Sequence, residues 1–119
     1  MLFRSVAGQG EDLPVVLKLD IEGMEIEALK GAKRMLDRDC LIIYEEHGSD
    51  KTHEVSRHIK EQMGYRLFFD DRPRLGELTS WAQLDRLKVN PRQGYDLFAT
   101  VSQFWIDRIS RFNQHVEAA

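Results

Sequence analysis

Two short clusters carry most of the chemistry this sequence offers: Asp20-Ile21-Glu22-Gly23 and Glu45-Glu46-His47. Each closes an apolar, β-branched run, Val15 to Ile21 in the first case and Cys40 to Glu46 in the second. Such runs read as buried strands of a parallel sheet. Side chains at the carboxyl end of a parallel strand stand on the edge where open α/β sheets bind ligands. A carboxylate or an imidazole held there can take the proton from a hydroxyl when its pKa lies near working pH. Asp20 and His47 are the first candidates for that part, with Glu45 beside them. Glu22 has a second explanation, because an acid next to Gly23 at a helix start stabilises the first turn by about 0.3–1 kcal/mol. Glu25 and Glu27 fit the same first-turn placement. Oxygen ligands with an imidazole also suit several divalent ions, but Asp20, Glu22, Glu45 and His47 lack a diagnostic ligand spacing and no metal is assigned.

The elements that must position these residues follow from periodicity. Met24 to Asp37 switches to helical spacing, with Ala28, Leu29, Ala32, Met35 and Leu36 on one stripe. Gly31 lies beside that stripe, where a missing side chain would let the helix approach the sheet. Asp50 or Thr52 can cap a helix running to Met63, with Val55, Ile59 and Met63 facing inward. Gly64 ends it in the left-handed conformation that glycine adopts cheaply. Tyr65 to Phe69 is a third strand, stopped by Asp70-Asp71-Arg72-Pro73. Leu75, Leu78, Trp81, Leu84 and Leu87 suggest short helical turns in an irregular connection. Tyr95 to Val101 is a fourth strand, and Ser102 can cap a final helix whose stripe is Trp105, Ile109, Phe112 and Val116. Strand, helix, strand, helix, strand predicts three strands running parallel, with both crossover helices on one face. The fourth strand is best placed antiparallel.

The stretch Lys18, Asp20, Glu22, Gly23, Glu25, Leu29, Gly31 and Ala32 resembles the middle of the FkbM-type methyltransferases, whose pattern there reads roughly K-I-D-V-E-G, two residues, an acid, then L-x-G-A. Leu41 to His47 looks like that family's next strand with its terminal acid and histidine, and Gly64-Tyr65-Arg66 like its turn into a further strand. The resemblance implies the C-terminal half of a Rossmann-like methyltransferase sheet, three parallel strands plus one antiparallel strand, in the order first, second, fourth, third. It implies transfer of a methyl group from S-adenosylmethionine to a hydroxyl of a sugar or small metabolite. Asp20, Glu22 and Gly23 would contact the cofactor, Asp20 through the positive sulfonium that a nearby anion favours. Asp20, His47 and Glu45 would serve the chemistry.

Such enzymes hold the cofactor with a glycine-rich loop between the first strand and helix. Before Val15 the only glycines are Gly8 and Gly10, with neither a strand in front nor a helix behind. Residues 1–14 therefore read as a loop or remnant of a missing half, 15–102 as a partial FkbM-like domain, and 103–119 as an amphipathic helix. The chain alone is expected to bind the cofactor weakly or not at all. The alternative is a non-catalytic dimeric or partner-binding module that keeps half the fold; a metal-dependent hydrolase rim built on Asp20, Glu22 and His47 is a third reading.

A length of 119 residues allows one domain. The longest apolar runs are of strand length, far below the ~20 residues needed to cross a bilayer. Met1 to Gly10 lacks a signal-peptide core, and the single Cys40 opens a buried strand, so a cytoplasmic protein with an inert structural thiol is expected. A net charge of −3 argues against a nucleic-acid binder. Acids dominate Glu11 to Glu27, whereas Arg72, Arg74, Arg86, Lys88 and Arg92 form a basic stretch. Those bases are either a solvated patch or a rim guiding an anionic substrate. Half a sheet leaves the Val15 to Ile21 strand with an open edge and bares one face, so a homodimer is expected.

Overall fold

A computed structural model gives the fold and describes residues 4–5, 13–19 and 25–118. Six strands form one mixed sheet: β1 (Arg4–Ser5), β2 (Val15–Leu19), β3 (Cys40–His47), β4 (Arg66–Asp71), β5 (Arg74–Glu77) and β6 (Gly94–Thr100), in the order β1-β2-β3-β6-β4-β5. β2 and β3 pair in parallel, Leu17 beside Ile42. β6 runs antiparallel to both β3 and β4, so β4 points the same way as β2 and β3 without touching either. The four expected strands thus take the expected order and directions.

The connections differ more. The first helical segment is broken at Ala32 into α1 (Glu25–Gly31) and α2 (Lys33–Leu36). The second is α3 (Glu54–Arg57), which widens into a π-helical turn at His58–Gln62 and ends at Gly64 with φ +75°. Neither Asp50 nor Thr52 caps α3. Its N-cap is His53, itself left-handed at φ 53°. Two strands lie outside the sequence expectation. Asp70 to Pro73 does not end the sheet but turns β4 into the hairpin strand β5, with Asp71 opposite Arg74. β1 pairs antiparallel with Leu17 and Lys18, so β2 is not the outermost strand. In the connection after β5, α4 (Trp81–Leu87) starts at a capping box in which Ser80 and Gln83 satisfy each other's backbone N–H groups.

The main core lies on one face. Val15, Leu17, Leu19, Ile42, Tyr44, Leu67, Leu97 and Ala99 of the sheet meet Ala28, Leu29 and Ala32 from the first connection, Ile59 from the second and Leu84 from α4. Both crossover connections therefore cover the same face, as expected. Cys40 is buried there, which pushes its thiol up to about 11, only partly offset by the nearby Arg38 charge. It is an unreactive core group.

The last helix, α5 (Gln103–Ala118), is capped by Ser102, whose Oγ accepts from Trp105 N–H at 3.4 Å. It starts near Asp39, whose carbonyl accepts from Trp105 Nε1 at 2.8 Å. It ends at β5, where the Asn113 amide brackets the Leu75 N–H and carbonyl at 2.8 and 2.9 Å. That course crosses the face opposite the main core, and the stripe expected on α5 splits accordingly: Ile109 is buried while Phe112 stays 46% exposed. Among the described residues no helix is long and apolar enough to cross a membrane.

Gly31 does not perform the expected packing role. It is exposed, and a Cβ built on it meets nothing within 4 Å. Gly31→Ala should therefore raise stability by about 0.5–1 kcal/mol, the ordinary gain from replacing a helical glycine, read as a higher urea midpoint at unchanged slope.

Candidate functional site

Side chains alternate across a strand, and in β3 that alternation divides the second acid cluster. Glu45 and His47 are exposed, whereas Glu46 continues the buried series Cys40, Ile42, Tyr44 and is itself buried. Glu46 thus faces the core side of the sheet, and all three still reach the lining of one cleft. Asp20, Glu22 and Gly23 lie outside the described residues. Among the described residues no cluster of three or more His, Cys, Asp or Glu is placed to hold a metal ion.

A cleft of about 970 Å³ opens at the carboxyl ends of β2 and β3. Leu19, Ile26 and Val55 give it apolar walls, and Glu25, Glu45, Asp50, Glu54 and Asp96 make its lining acidic, with Lys18, Lys30 and His47 among them. Glu45 lies across Gly94, where any side chain would collide with its carboxylate. His47 is oriented by Ser49: its Nδ1 accepts from the Ser49 N–H at 3.3 Å and lies 2.7 Å from the Ser49 hydroxyl. A ring nitrogen that accepts there leaves the imidazole proton on Nε2. Gly48 permits the tight approach of this loop to the β6 side, because a Cβ there would run into the Asn90 carbonyl.

Beneath the rim is a buried polar chain. Lys88, 1% exposed, follows α4 and sends its ammonium into the core. Three acceptors meet it: Glu46 Oε1 at 2.6 Å, His53 Nδ1 at 2.8 Å and the Asp50 carbonyl at 2.9 Å. The Glu46 contact is an ion pair whose angle falls outside hydrogen-bond geometry. An ammonium has only protons to give, so His53 Nδ1 accepts, and its Nε2–H donates to Asp85 Oδ1 at 2.8 Å. The other Glu46 oxygen takes the Ser56 N–H at 2.9 Å and the Ser56 hydroxyl at 2.6 Å. Ser56 Oγ in turn sits 2.8 Å from the Tyr44 hydroxyl, which therefore donates to it. Burial holds the Tyr44 phenol far above its ordinary range, and the nearby Glu46 adds to this against the Ser56 hydrogen bond.

Asp50 organises the loop above. Partial burial would raise its pKa, but the Thr52 hydroxyl and N–H, at 2.7 and 2.9 Å, the Lys88 charge and the His53 N–H together hold it below the ordinary carboxylate value. The basic stretch is not one rim. Lys88 is interior, Arg72 pairs with Asp70 at 3.1 Å, and Arg74 pairs with Glu117 at 3.3 Å.

His53, Ser56 and Asp85 are absent from the sequence candidates and Lys88 stands there only in the basic stretch, although two patterns point to the chain they form. Lys88 stands four residues after the buried Leu84 on the same helical stripe, and Glu46 stands two after Tyr44 in a strand buried at every second position.

An α/β domain with a cleft at the carboxyl ends of its parallel strands is the class that this geometry defines. A family model described as the methyltransferase FkbM domain matches residues 6–67, from ahead of β2 into β4, and the chain belongs to that family. No curated protein and no solved structure matches it.

Removing one partner from a buried ion pair leaves the other uncompensated, which costs about 3–5 kcal/mol, whereas replacing both with apolar groups is often neutral. Glu46→Ala should therefore lower the unfolding free energy by about that amount. The double variant Glu46→Leu with Lys88→Met should recover most of the loss, both read by chemical denaturation.

Proposed function

We propose that this chain contributes the C-terminal part of an S-adenosylmethionine-dependent methyltransferase site acting on a hydroxyl of a sugar or small metabolite. The observation that carries this reading is the cleft at the ends of β2 and β3, inside the stretch matched by the family model. Its donor set fits part of such a cofactor. Carboxylates on an apolar wall accept from ribose hydroxyls and favour a nearby positive charge; Glu25, Glu45 and Asp50 are placed in that lining. When bound, the cofactor supplies an electrophilic methyl group. Asp20 would take the acceptor's proton or stand beside the positive charge, and Glu22 and Gly23 would complete the cofactor contact. Glu45 would orient the acceptor hydroxyl. His47, whose Nδ1 is occupied by Ser49, would donate from Nε2.

Ahead of β2 the sequence offers only Gly8 and Gly10 as glycines. The chain alone should accordingly show no S-adenosylmethionine binding in the low micromolar range by calorimetric titration, and binding that tight would overturn the half-site reading. In a protein that supplies the glycine-rich unit, Asp20→Asn should lower methyl transfer by ~10²–10⁴-fold while the melting temperature stays put. Turnover within a few-fold of wild type would remove Asp20 from the mechanism.

A second copy of the chain is the proposed occupant of the surface around α5. Phe112 and Val101 are 46% and 59% exposed, Trp105 and Val116 remain half-buried, and among the described residues β1 pairs with β2 at Leu17 and Lys18 only. A twofold contact would let one patch serve both copies. Light scattering at micromolar concentration should report twice the chain mass, and Phe112→Asp should halve it. A monomeric wild type would dispose of this arrangement.

A further inference from the structure

We propose that Lys88 is a positioning residue for the rim of the cleft, and that a second proton on His53 releases its hold. That the rim belongs to a methyl-transfer cleft rests on the proposed function; the latch itself rests on side-chain geometry alone.

The rim in question is the loop from Gly48 to His53, which brings Ser49 and Asp50 to the cleft. The loop has little apolar anchorage, since Ser49, Lys51 and Thr52 are all exposed. The bonds that Asp50 makes to Thr52 are internal to it and tie it to nothing else. At the α3 end the Arg57 guanidinium holds the Thr52 carbonyl at 2.8 Å, and Lys88 supplies a second, buried tether. The ammonium takes the Asp50 carbonyl at 2.9 Å, and Lys51 Nζ returns to the Lys88 carbonyl at 3.2 Å. The same ammonium holds His53, a non-glycine residue at φ 53°. That region is costly for a side-chain-bearing residue and persists where surroundings over-determine it. Here the ring is 1% exposed and fixed at both nitrogens.

The arrangement works only while His53 Nδ1 has a lone pair to offer. Every charged group around the ring has a defined part in this. Lys88 faces Nδ1 at 2.8 Å and opposes a proton there, while Glu46 Oε1 lies 3.8 Å from the same atom. Asp85, from α4, faces Nε2 at 2.8 Å and favours the charged ring. Trp81 stacks on His53 at 6.3 Å between centroids, and the Arg57 guanidinium lies 4.7 Å from the Trp81 ring. The Asp50 carboxylate accepts the His53 backbone N–H. A proton on Nδ1 would set two donors against each other at the Lys88 contact. Either the ammonium withdraws or the ring turns toward Glu46, and both outcomes disturb the contacts that place the Lys88 ammonium on the Asp50 carbonyl.

Hydrogen exchange on the whole chain tests this, read at the Asp50, Thr52 and His53 amides and corrected for intrinsic exchange. As the pH is lowered, these amides should lose roughly tenfold or more of their protection, as expected when a hydrogen bond to a charged group is lost. Amides of β3 and β6 should not change. Nitrogen NMR on labelled histidine should place protonation of His53 Nδ1 at the same midpoint. Lys88→Met should lower loop protection at every pH and abolish the step. Asp85→Asn, at a side chain 61% exposed and so safe for folding, should move the midpoint to lower pH by removing the favouring anion. Loop protection that stays flat while His53 titrates would overturn the proposal, as would wild-type protection in a folded Lys88→Met. Should Lys88→Met fail to fold, an unmoved midpoint in Asp85→Asn overturns it instead. None of these readouts involves cofactor or acceptor, so their failure is separable from failure of the methyltransferase reading.

Discussion

A cation taken out of water must find an acceptor for each of its protons or it unfolds the structure around it. Lys88 does this for two of its protons, at His53 Nδ1 and the Asp50 carbonyl, sets its charge against Glu46, and so ties α4 to a stretch of chain far ahead of it in sequence. Glu46 comes from the centre of the sheet, Asp50 from the loop that follows it, and His53 from the start of α3, while Lys88 itself leaves the end of α4. Through Ser56 the chain of contacts reaches Tyr44, and through His53 it reaches the surface at Asp85. The position of α4 over the sheet and the course of the loop at the cleft are thereby fixed by the same few atoms.

The sheet supplies the rest of the frame. β2 and β3 point their carboxyl ends at the cleft because they are parallel, and they are parallel because α1 and α2 carry the chain back across one face between them. The opposite face is crossed by α5, held at Asp39 by Trp105 and Ser102 and at β5 by Asn113. Apolar burial gives this arrangement its driving force, but the polar contacts at its ends set the line along which the helix lies.

Much of this frame is legible in the sequence. β2 and β3 follow from dense β-branched runs, Gly64 from its place after an amphipathic stretch, and the Ser102 cap from the strand-to-helix switch. The mixed order of four strands follows from the family resemblance and not from periodicity. Other features are hidden for physical reasons. Spacing places Gly31 near the inner stripe but cannot say that its missing side chain would point into open space. Arg72-Pro73 reads as a stop, and β5 has only Leu75 and Gly76 between charged ends, so nothing in composition marks it as a strand. A run of three ionisable residues suggests one site, whereas strand alternation sends Glu46 to the core and Glu45 and His47 outward. Lys88 shows the converse: its charge suggests surface, and only its register with Leu84 betrays burial.

The insertion of β6 between β3 and β4 also dictates how the molecule is assembled. Leu41 partners Thr100 and Arg66 partners the same residue from the other side, so the centre of the sheet is the last strand to be made. Until it arrives, β3 and β4 have no hydrogen-bonding neighbour between them and the core has a gap where Leu97 and Ala99 belong. Contacts this distant in sequence are slow to form and leave apolar edges exposed during synthesis. On the ribosome β3 and β4 must therefore wait for β6 to emerge before the sheet can close, a period in which holding chaperones have the most to bind.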